Sequence, residues 1–350
     1  MLVANQKESK MKRRLFNTLS LLAMAAFIVC GMATLTAAEE LKPTTMTWVA
    51  GGVGGGWYAQ AGGLARLITE KEPKIILKVV PGGGVVNPVR ISKGKDGLAW
   101  GVTFVDKMAY TGMAPVYKEA HPNVRSMGGI FGISYIHVLA SADQKMKTVQ
   151  DLADAVKAGK KVKVAAPMKG TSDLPLIKQI LAFYGISFED IEKAGGQIQQ
   201  AVYADMVSLY KDRHVDFVFT HLALPGAAIT EMTMSRDSVL LETSKECIDT
   251  LAKELGTIDT ASGKAQIKGG TYQNNPNDVP AVPTAAELLV SKDVPDIVAY
   301  TILKIIGDNI EEVHKINNKN QTFLPETGWK GVAVPLHPGA ERYYKENGFM

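Results

Sequence analysis

Met46-Thr-Trp-Val-Ala-Gly51-Gly-Val-Gly-Gly-Gly56-Trp57-Tyr58, continuing as Ala59-Gln-Ala-Gly-Gly-Leu-Ala-Arg-Leu-Ile68, reads as a strand, a glycine loop and a helix. Five glycines in the six residues Gly51–Gly56 remove the Cβ atoms that block close approach to the backbone. They also permit positive φ, so successive N–H groups can converge on one anion. The helix that follows aims its positive end at the same place. The competing reading is a tight turn, but a turn is satisfied by one or two glycines. Nucleotide chemistry does not fit. A dinucleotide fingerprint begun at Gly52 has Trp57 in its sixth place, one begun at Gly51 has Val53 in its third, and Gly56-Trp57-Tyr58 is not the Gly-Lys-Ser/Thr end of a phosphate loop.

Working outward, strand and helix patterns alternate. Residues 74–80 read as a strand, and the cluster Pro81-Gly-Gly-Gly84 opens the segment 85–92. Residues 97–105 read as an apolar strand that delivers Asp106 and Lys107 at a polar tip. A second set begins at Lys161 with a strand over 161–166, the loop Pro167-Met-Lys-Gly-Thr-Ser-Asp173 and a helix over 174–184. The short strand Val215–Phe219 then delivers Thr220 and His221. Such alternation predicts an α/β fold with largely parallel sheets, and two sets predict two lobes with a ligand cleft between them. The paired segments near 136–141 and 286–291 mark the crossings. The lobes are then residues 39–137 with 283–350, and residues 138–282.

Residues 1–38 read as a cleaved export signal that sends the protein to the periplasm. Lys10, Lys12, Arg13 and Arg14 form a basic head, Leu15–Val29 an apolar stretch, and Thr36-Ala37-Ala38 a small-residue cleavage site. An uncleaved anchor and a lipid on Cys30 are the competing readings. Without this segment the chain loses five basic groups and one acidic one, and its net charge of +4 falls to zero. The basic excess is thus no argument for nucleic acid. Cys247 alone remains, so no internal disulfide forms, and a chain of this size buries enough surface without one. The six histidines are scattered without metal-ligand spacing, and no cofactor is expected.

Two chemistries compete for the cleft. A hydrolase could be assembled from Ser172, His221 and an aspartate, but Gly-x-Ser-x-Gly is absent. Binding draws on Lys169, just before a helix start, with the N–H groups of Gly170, Thr171 and Ser172; on Trp57, Tyr58 and Tyr272 as walls; and on Asp106 and Lys107.

The chain also resembles the TAXI receptors, solute-binding proteins of tripartite ATP-independent periplasmic (TRAP) transporters. The resemblance rests on Gly51–Tyr58, on Pro81-Gly-Gly-Gly-Val-Val-Asn-Pro-Val-Arg90, on Asp278-Val-Pro-Ala-Val282 and on Val334-Pro-Leu-His-Pro-Gly-Ala-Glu-Arg-Tyr-Tyr344. It implies a two-lobed periplasmic binding protein fold of the type II-like arrangement, a receptor and not an enzyme, that closes over a small organic anion such as glutamate or a di- or oxo-carboxylate. The receptor then hands its ligand to TRAP permease subunits; presentation to a membrane sensor is the alternative. A monomer is expected. The family's ligand region falls on Gly54, Gly55, Gly56, Trp57 and Tyr58, on Gly84, on Phe104, Asp106 and Lys107, on Lys169, Gly170, Thr171 and Ser172, on Thr220 and His221, and on Tyr272. The chain departs from the family pattern at Gly56, where a small hydroxyl residue is usual, and at Phe104-Val105-Asp106, where a Gln-Ser-Asp type tip is usual.

Overall fold

The alternating sequence pattern folds into a mixed sheet wrapped by helices. The structure, a computed structural model, describes residues 40–52, 56–169 and 171–350, so the export-signal reading and Gly54, Gly55 and Gly170 lie outside the described residues. The strands are β1 (Thr44–Val49), β2 (Ile75–Val80), β3 (Leu98–Val102) and β4 (Val124–Ser141). They continue with β5 (Lys163–Pro167), β6 (Gln197–Ala201), β7 (Phe217–Leu222), β8 (Ser238–Leu240), β9 (Gln266–Ile267), β10 (Val279–Pro280) and β11 (Pro283–Ser291). The first helices are α1 (Gly56–Lys71), α2 (Asn87–Ser92), α3 (Thr103–Thr111), α4 (Val149–Lys157) and α5 (Asp173–Phe183). Next come α6 (Phe188–Lys193), α7 (Tyr203–Lys211), α8 (Ala227–Ser235) and α9 (Lys245–Leu255). The last are α10 (Asp296–Asp308), α11 (Ile310–Ile316), α12 (Pro325–Gly328) and α13 (Pro338–Glu346). Residues Pro43–Met350 form one unit; before it only residues 40–42 are described, and they hold no element.

The sheet runs in the order β2-β1-β3-β11-β4-β7-β5-β6, with β8 on β4. Its two ends are parallel, β2-β1-β3 and β7-β5-β6, as the alternation predicts. Its centre is not. β11 runs antiparallel to β3 and β4, and β4 antiparallel to β7 and β8. The expectation of largely parallel sheets is corrected there, because β4 and β11 join the two ends instead of returning through a helical crossover. β4 is long enough to serve both: residues up to Tyr135 pair with β11, and Tyr135–Ala140 pair with β7.

Local signals explain several elements. Thr148 caps α4 through a capping box with Asp151, which satisfies end N–H groups in both directions. Asn87, fully buried, ties the second glycine loop down: its Nδ2 donates to Ala50 O (2.9 Å) and Trp100 O (2.7 Å), and its Oδ1 accepts from Gly83 N (2.9 Å). Arg90 adds a bond to Pro81 O and an ion pair with Asp96 at 2.8 Å. The helical stretch after Pro295 divides at Asn309 into α10 and α11.

The strand expected over residues 97–105 stops at Val102, and α3 starts at Thr103. Apolar β-branched residues mark burial as well as strand, and Phe104, Val105 and Met108 bury into one core with Leu152, Ile177, Phe217 and Leu251. Cys247 is buried and free in α9. Among the described residues no helix is long and apolar enough to cross a membrane.

Candidate ligand-binding cleft

Phe131 stacks on Phe323 with centroids 4.0 Å apart and meets Trp100, which in turn meets Trp48. Over Phe131 lies a cavity of about 290 Å³. Its walls are Gly51, Gly56 and Trp57 at the start of α1, Val102 before α3, and Ser172 and Asp173 at the start of α5. The connecting strands contribute Gly132 and Ser134 from β4 and Thr284 and Ala286 from β11, and His221 and Lys319 complete the lining. Two helices, α1 and α5, begin at this one space, so their unpaired N–H groups and positive dipole ends favour an anion there.

Lys319 sharpens the preference. Its short 3-10 turn, Asn318–Thr322, is pinned on all sides. Gln60 of α1 donates to Phe131 O (3.2 Å) and to the Asn320 side chain, and Thr322 Oγ1 donates to Ile130 O at 2.6 Å. The Lys319 stem lies on Gly132, where a Cβ would come within 3.1 Å of it and where φ is +128°, so the position suits glycine twice over. Nζ lies 3.9 Å from where a methyl group on Gly56 would stand. Burial pushes the Lys319 pKa down, and its ammonium has no carboxylate or hydrogen-bond partner among the described residues. A desolvated ammonium beside a helix start is a strong anion attractor.

Facing it is a polar chain. Tyr203 donates to Asp173 Oδ2 (2.6 Å), His221 Nδ1 lies 3.1 Å from Asp173 Oδ1, and His221 Nε2 lies 2.7 Å from Thr284 Oγ1. Burial raises the Asp173 carboxyl, but the hydrogen bonds from His221, Tyr203 and Ser172 outweigh it and the net shift is downward. An ionised Asp173 accepts from Nδ1–H, and Nε2 is engaged by Thr284 Oγ1. Ser172 Oγ points to Asp173 (3.3 Å), not to the imidazole, whose other nitrogen is taken by the buried Thr284. The cleft therefore holds no Ser172–His221 nucleophile–base pair.

The family model of the NMT1-like family matches residues 49–348. The chain belongs to the NMT1-like family. Two solved structures place its fold. A TctC solute-binding protein from Polaromonas, solved without ligand, is 14% identical with a TM-score of 0.50, over 79% of this chain and 88% of that one. MatC from Rhodopseudomonas palustris with bound malate is 12% identical with a TM-score of 0.50, over 87% of this chain and 96% of that one. At these identities the likeness is one of fold alone: the chain shares the mixed α/β fold of these two proteins.

In this NMT1-like protein the residues singled out from sequence part company. Gly56, Trp57, Ser172 and His221 line the cavity. Gly84 touches it through Ser172: a Cβ on Gly84 would stand 2.9 Å from Ser172 Cβ. Lys169 and Thr171 line a neighbouring cavity of about 640 Å³, walled by Val85, Val116, Leu174 and Phe188. The others lie outside the small cavity, each for a physical reason. Tyr58 reaches back toward Val79 O (3.5 Å). Phe104 is fully buried and meets the edge of the His221 ring from behind. Thr220 is buried on the other side of β7 from His221, since successive strand residues alternate. Tyr272 bonds His137 Nε2 (2.8 Å) and accepts from Gly226 N (2.7 Å). Lys107 donates to Lys253 O (2.9 Å) near the end of α9, a favourable place for a cation.

Asp106 also points elsewhere. It lies over Gly101, whose strand partner across the ladder is Glu287, and both carboxyls are fully buried. Burial raises both, and the Glu287 charge raises Asp106 further. Two buried carboxyls so placed share a proton. Conversely, sequence reasoning missed Lys319, Ser134, Asp173 and Thr284. Lys319 sits in Asn317-Asn-Lys-Asn320, a polar run with no motif, and only tertiary packing against Gly132 and Gly56 reveals it.

Proposed function

We propose that this NMT1-like protein is an extracytoplasmic solute receptor of the TAXI type that captures a small organic anion and delivers it to TRAP permease subunits. The observation that carries the reading is the unpaired, partly buried Lys319 ammonium set beside the start of α1 in a small cavity where α5 also begins. Such a site takes a carboxylate. The opposite wall, with Ser134, Ser172 and the remaining acceptor capacity of Asp173, suits the second polar group of an amino, oxo or dicarboxylic acid. A cavity near 290 Å³ suits a ligand of that size. The malate in MatC, a protein of this fold, is an anion of the same class.

The mechanism is closure. The lobes are residues 39–137 with 283–350, and residues 138–282, joined by β4 and β11. A ligand that bridges Lys319 on one side and Ser172 on the other favours the closed state by its differential contacts, and that state docks on the permease.

The test is calorimetric titration with glutamate, malate and 2-oxoglutarate, repeated on Lys319→Met. We expect one of these acids to bind with 1:1 stoichiometry and the variant to lose about 2–5 kcal/mol, at least 30-fold in Kd. Binding unchanged in Lys319→Met sinks the reading.

A further inference from the structure

Behind the strands that join the two ends of the sheet lies a second cavity, of about 550 Å³. Side chains alternate along a strand, and the lining shows it: Thr284 and Ala286 face the cleft while Ala285 faces this second space, as does Ile130 where Phe131 faces the cleft. The two cavities therefore occupy opposite faces of β4 and β11.

The rear cavity is built from donors. Lys253 and Lys264 reach it from α9 and the segment that follows, and Lys330 from the other side. None of the three has a carboxylate in ion-pair range among the described residues. The carboxylates in the lining are already engaged: Asp249 holds Lys245 and Thr260, and Asp259 caps the turn at Ser262 N (2.9 Å). Deeper in, Thr103 and Thr257, 3% and 8% exposed, line the space, and neither hydroxyl has a partner among the described residues. A buried hydroxyl without a partner is costly, so its persistence calls for a ligand atom. Thr103 also opens α3, whose start has no side-chain cap. The carbonyls at the end of α9 oppose an anion, but Lys107 already covers Lys253 O.

We propose that this rear cavity is a second binding site, specific for a small tetrahedral oxyanion of the phosphate type. Ammonium groups act as point charges, and hydroxyls and helix N–H groups donate from several directions. That set matches a tetrahedral dianion, whose oxygens accept in several directions and whose second charge uses more than one ammonium. The site is separate from the cleft and uses none of its residues.

The experiment is titration of the full chain with inorganic phosphate, followed calorimetrically and by thermal shift. Three variants are compared: the Lys253→Met/Lys330→Met pair, Thr257→Val, and Lys319→Met. Saturable binding, weakened about tenfold or more in the first two and unchanged in Lys319→Met, is the expected result. Lys253 and Lys330 are exposed, so their replacement leaves folding intact. Absence of saturable binding overturns the proposal. So does binding lost in Lys319→Met and retained in the lysine pair, which would put phosphate in the cleft. Carboxylate capture is read through Lys319 and phosphate through Lys253 and Lys330, so either reading can fail alone.

Discussion

Lys319 Nζ lies 3.9 Å from the point where a methyl group on Gly56 would stand, and among the described residues outside its own helix and chain neighbours no other atom comes within 4 Å of that point. There is room for a side chain, and any side chain placed there addresses the ammonium first. Gly56→Asp puts a carboxylate beside Lys319 and in the first turn of α1. We expect the folded protein to gain about 0.3–1 kcal/mol from the helix dipole. Ligand affinity should fall at least about 30-fold, because the site then carries its own anion. Chemical denaturation and calorimetry read the two effects separately, and a variant that is more stable yet still binds would refute the placement of the ligand.

Gly84 and Ser172 make a sharper steric prediction. A Cβ on Gly84 would stand 2.9 Å from Ser172 Cβ and 3.1 Å from its Oγ. Gly84→Ala should prop these loops apart and weaken binding by about 1 kcal/mol, roughly fivefold, with little change in unliganded stability. Ser172→Gly alone should also weaken binding, because it removes a polar group of the wall, but in the double variant the clash is gone and the combined loss should be less than the sum of the two; a double-mutant cycle with no coupling would show that the contact does not matter.

The Asp106–Glu287 pair sets a pH dependence. Both carboxyls are raised by burial in the folded protein and ordinary in the unfolded chain. The folded state thus holds a proton that the unfolded state releases, so stability is greatest below the ordinary carboxylate range and falls as pH rises through the raised values. Asp106→Asn keeps a hydrogen-bond donor toward Glu287 without a second acid. Urea denaturation from about pH 5 to about pH 8 should show a shallower decline in the variant. An equal slope in both proteins would exclude the shared proton.

Tyr272 separates fold from function. Its hydroxyl serves His137 Nε2 and Gly226 N, both buried, and burial holds His137 neutral with its pKa lowered to about 4. Tyr272→Phe should cost about 2–4 kcal/mol of stability by stranding two polar groups. Ligand affinity should be unchanged, since Tyr272 does not line the cleft. A loss of affinity at unchanged stability would return Tyr272 to the site.

These cases show what could be read from the residues alone. The first glycine stretch announced its strand and helix, and the helix start does face a cavity. The second, Pro81–Arg90, was legible as a motif but not in its role, since Asn87 and Arg90 spend themselves on backbone groups of this loop and of Ala50 and Trp100 beside it. In Val334–Tyr344 the same holds: His337 caps α13 and Tyr344 bonds Met127 O at 2.9 Å. The antiparallel centre was hidden because strand direction depends on connections, and periodicity does not record them. Lys319 and Thr284 were hidden because each gains its meaning from residues distant in the chain, Gly56 and Gly132 for the lysine and His221 for the threonine.

The place of β11 carries a last consequence, for the order of assembly. It inserts between β3 and β4, pairing Ala286 with Val102 and Thr284 with Ser134. Until residues 283–291 have emerged, the facing edges of β3 and β4 have no neighbour, and the sheet cannot close from its N-terminal portion alone. The decisive pairings are thus long-range and come late in synthesis, which slows folding and prolongs the time as an open chain. For a protein read as bound for export, that delay keeps the polypeptide threadable until nearly all of it has been made.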